Sequence, residues 1–277
     1  MNTLADAILD AVKDADTSEH REHLGASLIG DECLRKVWYS FRWYVKPNWS
    51  GRMLRLFDRG AREEPALEEI IRRIPGVHIA TIDHNTGKQF RVVDPELPAL
   101  GGSLDGMLLN PPEAPDQTVG LEIKTSNHKN WDKLKKSGVK SAQRRHYTQM
   151  NLYAFWFQLP GFVYVNVNKD TDALYSEWIP FDSQEVDQAR ADARTVLTAE
   201  TPPRGISKIP SWWQCKFCPM LEVCHFGAAP DVNCRTCVHV ESELIGANRW
   251  SCSKTGEMLT GDEQRAACAE YKGPVDG

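Results

Sequence analysis

Six side chains in this 277-residue sequence have the types and spacing to gather around a divalent cation. In VGLEIKT, Glu122 and Lys124 lie two apart. On an extended strand both project from one face, while Leu121 and Ile123 point the other way. Asp105, in GGSLDGMLL, reaches them if its strand pairs with theirs. Two carboxylates and an ammonium meeting at a sheet surface are poorly solvated without a hard ion. Mg²⁺ or Mn²⁺, which takes carboxylate, carbonyl and water oxygens, resolves the repulsion. Taken singly, Glu-x-Lys in a strand is more often plain charge alternation on a half-buried face, with Lys124 pairing one of the acids. Gly60-x3-Glu64 precedes the strands and Gln149-x3-Tyr153 follows them. The four-residue spacing puts Gln149 and Tyr153 on one helical face. By themselves Glu64 is a solvated acid of AREEPALEE, and Gln149 and Tyr153 are ordinary helix residues.

The eight cysteines form a second set of candidate ligands. Cys215-x2-Cys218 and Cys234-x2-Cys237 have the knuckle spacing that offers two thiolates to one metal, which favours metal ligation over a disulfide framework. Cys234, Cys237, Cys252 and Cys268 fall within 35 residues and suit tetrahedral Zn²⁺, with His239 able to replace one of them. Cys215, Cys218 and Cys224 supply only three ligands. The remaining cysteine, Cys33, is far upstream, and alone it reads equally well as a buried thiol.

The elements that must position these groups follow from periodicity. Residues 1–58 read as helical, and apolar positions at three and four continue from Gly51 to Ile74, where Pro65 should start or kink a helix. Strands are expected at 77–83, 88–93, 101–109 and 119–125, then a polar helix, a long helix at about 140–158, strands at 161–168 and 173–181, and a helix at 183–199. The order gives a mixed α/β fold with a central sheet flanked by helices. The expected segments are an N-terminal helical part (1–58), a core (59–200), a cysteine segment (201–228) and a small zinc-binding module of four cysteines (229–277). The uncharged run Tyr147–Asn168 contains Pro160-Gly161 and several amides, so it reads as helix, turn and buried strand rather than a membrane span. The start of the sequence lacks the basic-then-apolar order of a secretion signal, and a cytoplasmic location is expected, the host's if the source is a phage.

Together and in this order, RGAREEP, GGSLDG, LEIKTS and QMNLY resemble the PD-(D/E)xK nuclease superfamily, and within it the RecB-like exonucleases. The resemblance spans about residues 50–170. It implies that Asp105 and Glu122 hold Mg²⁺ or Mn²⁺ with the Ile123 carbonyl and Glu64, and that Lys124, Gln149 and Tyr153 complete the catalytic set. Many cluster-bearing relatives have His at the place of Glu64. The one-plus-three layout of Cys33 with Cys215, Cys218 and Cys224 is similar to the iron–sulfur nucleases of the AddB and CRISPR-adaptation type. It implies a 4Fe–4S cluster at these four, with zinc as the alternative. The resemblance leaves the zinc-binding module unexplained.

The implied activity is metal-dependent exonucleolytic hydrolysis of DNA, with cleavage within single strands as an additional activity, in recombination, replication or repair. The alternative is a catalytically silent nuclease fold that binds nucleic acid as an adaptor. Net charge is −5, so a nucleic-acid site must be local. Lys129, Lys133, Lys135, Lys136, Lys140, Arg144 and Arg145 lie between Ser126 and Gln149 against Asp132 alone. These cations would bind DNA phosphates largely irrespective of sequence, with a base stacked on Trp131. The competing reading of the run is a solvated charged helix.

Overall fold

The computed structural model describes residues 3–274. They group into two compact units: residues 3–18, 48–92 and 102–187 in the first, and 19–47, 93–101 and 188–274 in the second.

The first unit is built on a five-stranded mixed sheet of β1 (His78–Ala80), β2 (Gly106–Leu109), β3 (Thr118–Ser126), β4 (Gly161–Asn168) and β5 (Leu174–Pro180). Their spatial order is β5-β4-β3-β2-β1. All neighbours are antiparallel except β3 and β4, which run parallel. Its helices are α1 (Leu4–Asp14), α2 (Gly51–Ile71), α3 (His128–Ala142) and α4 (Arg144–Phe157). The mixed α/β architecture expected from the element order is the one observed.

Alternation along β3 divides the unit. Val119, Leu121 and Ile123 enter an apolar cluster with Leu67 of α2, Leu108 and Val163. Gly120, Glu122 and Lys124 point to the opposite face. Gly120 is required there, because a Cβ would run into the Phe162 ring. Helix α2 approaches the sheet along Gly60, Glu64, Leu67 and Ile71. A Cβ at Gly60 would meet only the Thr125 hydroxyl, at 3.5 Å.

The helix runs through Pro65 rather than starting there. Its first turn begins at Gly51, where Ser50 accepts from the Met53 N–H. The strand expected at 101–109 is two strands, Leu100–Ser103 and β2, interrupted at Leu104-Asp105. Residues 77–83 and 88–93 likewise break into short pieces. The Tyr147–Asn168 run is the end of α4, a turn and β4. No helix among the described residues is long and apolar enough to cross a membrane.

In the second unit, Leu24–Gly25 pairs in parallel with Leu100–Gly101, and helix Leu34–Phe41 follows Cys33. Arg235 is the internal tie. Its guanidinium donates to the carbonyls of Phe41 and Glu22 and to the Gln264 side chain, and it lies 3.8 Å over the Trp43 ring. Strands Val240–Glu243 and Arg249–Cys252 form a two-stranded ribbon carrying Cys252.

Candidate active site

The sheet register brings the first candidate set together. Gly106 on β2 is opposite Leu121 on β3, so Asp105, at the break before β2, reaches the Glu122–Ile123 peptide. Its Oδ2 accepts from the Ile123 N–H at 3.2 Å. Lys124 Nζ forms an ion pair with Glu122 Oε1, lies 3.7 Å from Asp105 Oδ2 and donates to the Ile123 carbonyl at 3.1 Å. Both carboxylates therefore converge on a single ammonium.

Glu122 is fully buried, and α4 supplies its other partner: Gln149 Nε2 donates to Oε1 at 3.0 Å and to Oε2 at 3.3 Å. Tyr153, one turn on, has its hydroxyl against the backbone of Ser103. A side chain at Gly102 would collide with that ring, which explains the glycine. Glu64, half-buried on α2, is near enough to Asp105 and Lys124 to feel both charges.

The electrostatics follow from burial. Desolvation pushes the Glu122 carboxyl up to about 8, with Asp105 and Glu64 adding repulsion and Lys124 pulling the other way. Desolvation and the Asp105 charge also raise Glu64. The surrounding carboxylates, Glu122 first, hold Lys124 above its ordinary range despite burial, so it stays an ammonium.

The sequence reading missed a row of polar groups on the same sheet face. Parallel register sets Tyr164 beside Glu122 and Asn166 beside Lys124. Ser126 Oγ donates to Asn166 Oδ1 at 2.7 Å, Asn166 Nδ2 donates to the Tyr164 hydroxyl at 3.3 Å, and His146 Nδ1 is 3.0 Å from that hydroxyl. Burial and the Lys124 charge push the His146 imidazole down to about 3, so it is neutral. His146 precedes Gln149 by three residues, the helical spacing that could have pointed to it.

The basic run resolves into two groups. Lys129, Lys133, Lys135 and Lys136 are exposed on α3 and have no ion-pair partner among the described residues. Lys140 pairs with Asp182 at 3.0 Å and Arg144 with Glu185 at 2.7 Å; Arg145 is exposed. Trp131 corrects the expectation of base stacking. It is 9% exposed, on the buried side of α3 with Leu134, and carries His128 and Lys135 against its ring. A helix must bury one stripe to dock, and Trp131 belongs to that stripe.

In the second unit, Cys33, Cys215, Cys218 and Cys224 line one cavity of about 230 Å³. Cys234, Cys237, Cys252 and Cys268 line another of about 490 Å³ with His239 and Glu263. Backbone N–H groups aim at sulfur in both sets, from Met220 to Cys218 and from Lys254 and Thr255 to Cys252. At Cys252 the bonds win and hold the thiol below its ordinary range, whereas burial outweighs the Met220 bond and pushes Cys218 up, as it does Cys215 and Cys234. Among the described residues, no three His, Cys, Asp or Glu side chains converge closely enough to hold a single ion. At Asp105 and Glu122 the Lys124 ammonium fills the gap between the acids. The donor chemistry there, buried oxygens whose mutual repulsion needs a cation, fits a hard divalent metal. At Cys33 and its partners the soft sulfur donors suit either an iron–sulfur cluster or zinc.

No family model matches the chain, and no curated protein does. Among solved structures it is similar to SSO0001, with 16% identity over 80% of this chain and 96% of that one and a TM-score of 0.45. It is also similar to the alkaline exonuclease LHK-Exo from Laribacter hongkongensis, with 13% identity over 68% of this chain and 90% of that one and a TM-score of 0.47. The same exonuclease in complex with dAMP gives 14% identity, 69% and 90% coverage and a TM-score of 0.47.

Proposed function

We propose that the chain is a divalent-metal-dependent deoxyribonuclease that hydrolyses phosphodiester bonds from DNA ends and also cuts within single strands. One observation carries the reading. Two acids from neighbouring extended segments, Asp105 and the fully buried Glu122, meet at one lysine, with Gln149 fixing the inner carboxylate. A fold with no chemistry to perform gains nothing from burying like charges in this way.

Asp105, Glu122, the Ile123 carbonyl and Glu64 would hold the cation, which when bound polarises the phosphate and acidifies a water. Gln149 keeps the Glu122 carboxylate oriented through two hydrogen bonds. Lys124 is held charged by its acidic neighbours, so it acts as a donor to the phosphate oxygens in the transition state and not as a general base. Tyr153 braces the backbone at Ser103, two residues before Asp105. Lys129, Lys133, Lys135 and Lys136 bind the DNA backbone, which orients the strand without reading its sequence. Cys33, Cys215, Cys218 and Cys224 would carry an iron–sulfur cluster and Cys234, Cys237, Cys252 and Cys268 a zinc ion, both bracing the second unit.

The test is digestion of linear and closed circular DNA, single- and double-stranded, with Mg²⁺ or Mn²⁺ and with Asp105→Ala and Lys124→Ala as controls. Loss of linear DNA in the wild type and its survival in both variants are expected. Survival of every substrate with the wild-type protein leaves the adaptor reading instead. That reading draws on the ammonium lodged between the two acids.

A further inference from the structure

The segment from Pro202 to Phe226 exposes more large apolar surface than folding accounts for. Trp213 is 63% exposed, Phe217 80% and Phe226 60%, and Trp212, Ile206 and Ile209 are exposed beside them in sequence. Single exposed hydrophobics are ordinary, but a concentration of aromatic rings marks a contact surface. Trp213 opens the short helix Trp213–Lys216 and Phe217 is its C-cap, so the two rings flank a single helical turn. Both also line the mouth of the Cys33 cavity.

The charges between these rings choose the occupant. From Pro202 to Phe226 the cations are Arg204, Lys208 and Lys216, against Glu222 alone. All three cations are exposed, none has an ion-pair partner among the described residues, and the Lys216 ammonium lies 5.6 Å over the Phe217 ring. A second copy of this chain would bring these like charges together. Duplex DNA hides the faces of its bases and leaves the rings unused. An unpaired strand offers both an anionic backbone and stackable faces, and base–aromatic stacking tolerates any sequence.

We propose that this patch is a platform for single-stranded DNA, with unpaired bases stacking on Trp213 and Phe217 and the flanking phosphates on Lys208 and Lys216. The inference rests on the nucleic-acid reading above and narrows its substrate to strands with unpaired bases.

The experiment is fluorescence anisotropy of the full chain without added Mg²⁺ or Mn²⁺ and without chelator, so that no cleavage occurs and the cysteine sites keep their metals. The labelled probes are an oligothymidylate of about 16 nucleotides, an abasic strand of equal length and a hairpin-closed duplex. The oligothymidylate should bind best. Trp213→Ala or Phe217→Ala should weaken it by about 5- to 150-fold, the equivalent of about 1–3 kcal/mol per lost stack. Neither change should alter abasic binding, and Phe217→Tyr should restore the affinity. Lys208→Glu with Lys216→Glu should weaken both single strands and flatten their salt dependence. Because Phe217 is exposed, Phe217→Ala keeps the wild-type melting temperature.

Unchanged oligothymidylate binding in both alanine variants overturns the proposal. So does a wild-type dimer, in sedimentation equilibrium, that Phe217→Ala dissolves. Digestion of linear DNA by a wild type and a Phe217→Ala variant that bind alike leaves the nuclease reading standing without the patch. Stacking-dependent binding by a protein that cuts nothing has the opposite meaning.

Discussion

Glu122 ties metal binding, pH and folding stability to one carboxyl, and the size of the effect can be worked out. Its folded-state value is pushed up to about 8, against an ordinary value near 4.5, mainly by burial. Between those two pH values the folded protein holds a proton that the unfolded chain has released. Stability from this group is therefore complete below about pH 4.5 and lost as pH rises to about 8, at up to about 1.4 kcal/mol per pH unit. A cation at the site must displace the same proton. Its affinity should rise about tenfold per unit from pH 6 to 8 and level off above, a total of about 100-fold.

Calorimetric titration of Mn²⁺ at pH 6, 7, 8 and 9, in two buffers of different ionisation enthalpy, reads both the affinity and the proton release. About one proton should leave per cation at pH 6 and almost none at pH 9. Thermal unfolding in the same series should show Mn²⁺ stabilising the protein most at high pH. In Glu122→Gln both slopes should fall to the part that the raised Glu64 carboxyl contributes. Mn²⁺ binding of equal strength at pH 6 and 9 with no proton exchange would refute the reasoning, as would a Glu122→Gln variant that keeps the wild-type slope.

Other changes separate the roles of neighbouring groups. Lys124→Met should cut the rate of DNA hydrolysis by about 10²–10³ while leaving DNA affinity, measured without added Mg²⁺ or Mn²⁺, within a factor of about two by the usual worth of one charge contact; a variant of undiminished rate removes Lys124 from the chemistry. Gln149→Leu takes away both amide hydrogen bonds to Glu122, and weaker Mn²⁺ binding by calorimetry is the expected result. Gly120→Ala forces a methyl into the Phe162 ring and should cost about 1–3 kcal/mol, read as a melting temperature about 2–12 °C lower. Cys33→Ala should abolish the visible absorption and iron content of anaerobically purified protein and leave zinc in place. Cys252→Ala should do the reverse, and a colourless wild type with two zinc ions per chain would defeat the cluster assignment.

The sequence by itself determined whatever depends on spacing along one element. Glu122 and Lys124 had to share a face, because a strand alternates. Gln149 and Tyr153 had to share a helical face, because four residues make about one turn. The helix, turn and strand of the Tyr147–Asn168 run followed from Pro160-Gly161. Tertiary structure decided what depends on contacts between elements. The pairing of β2 with β3 set Asp105 beside Ile123. The parallel register of β3 and β4 lined Tyr164 and Asn166 up with the acid and the lysine, and no local pattern in GFVYVNVN announces that. Burial decided the chemistry of Glu122 and removed Trp131 from the surface, since a charge run shows which side of a helix is polar without showing how deeply the ring on the other side is buried. The physical division is one of range: backbone geometry fixes directions over a few residues, whereas desolvation and charge coupling depend on every element packed around a group, including those distant in the chain.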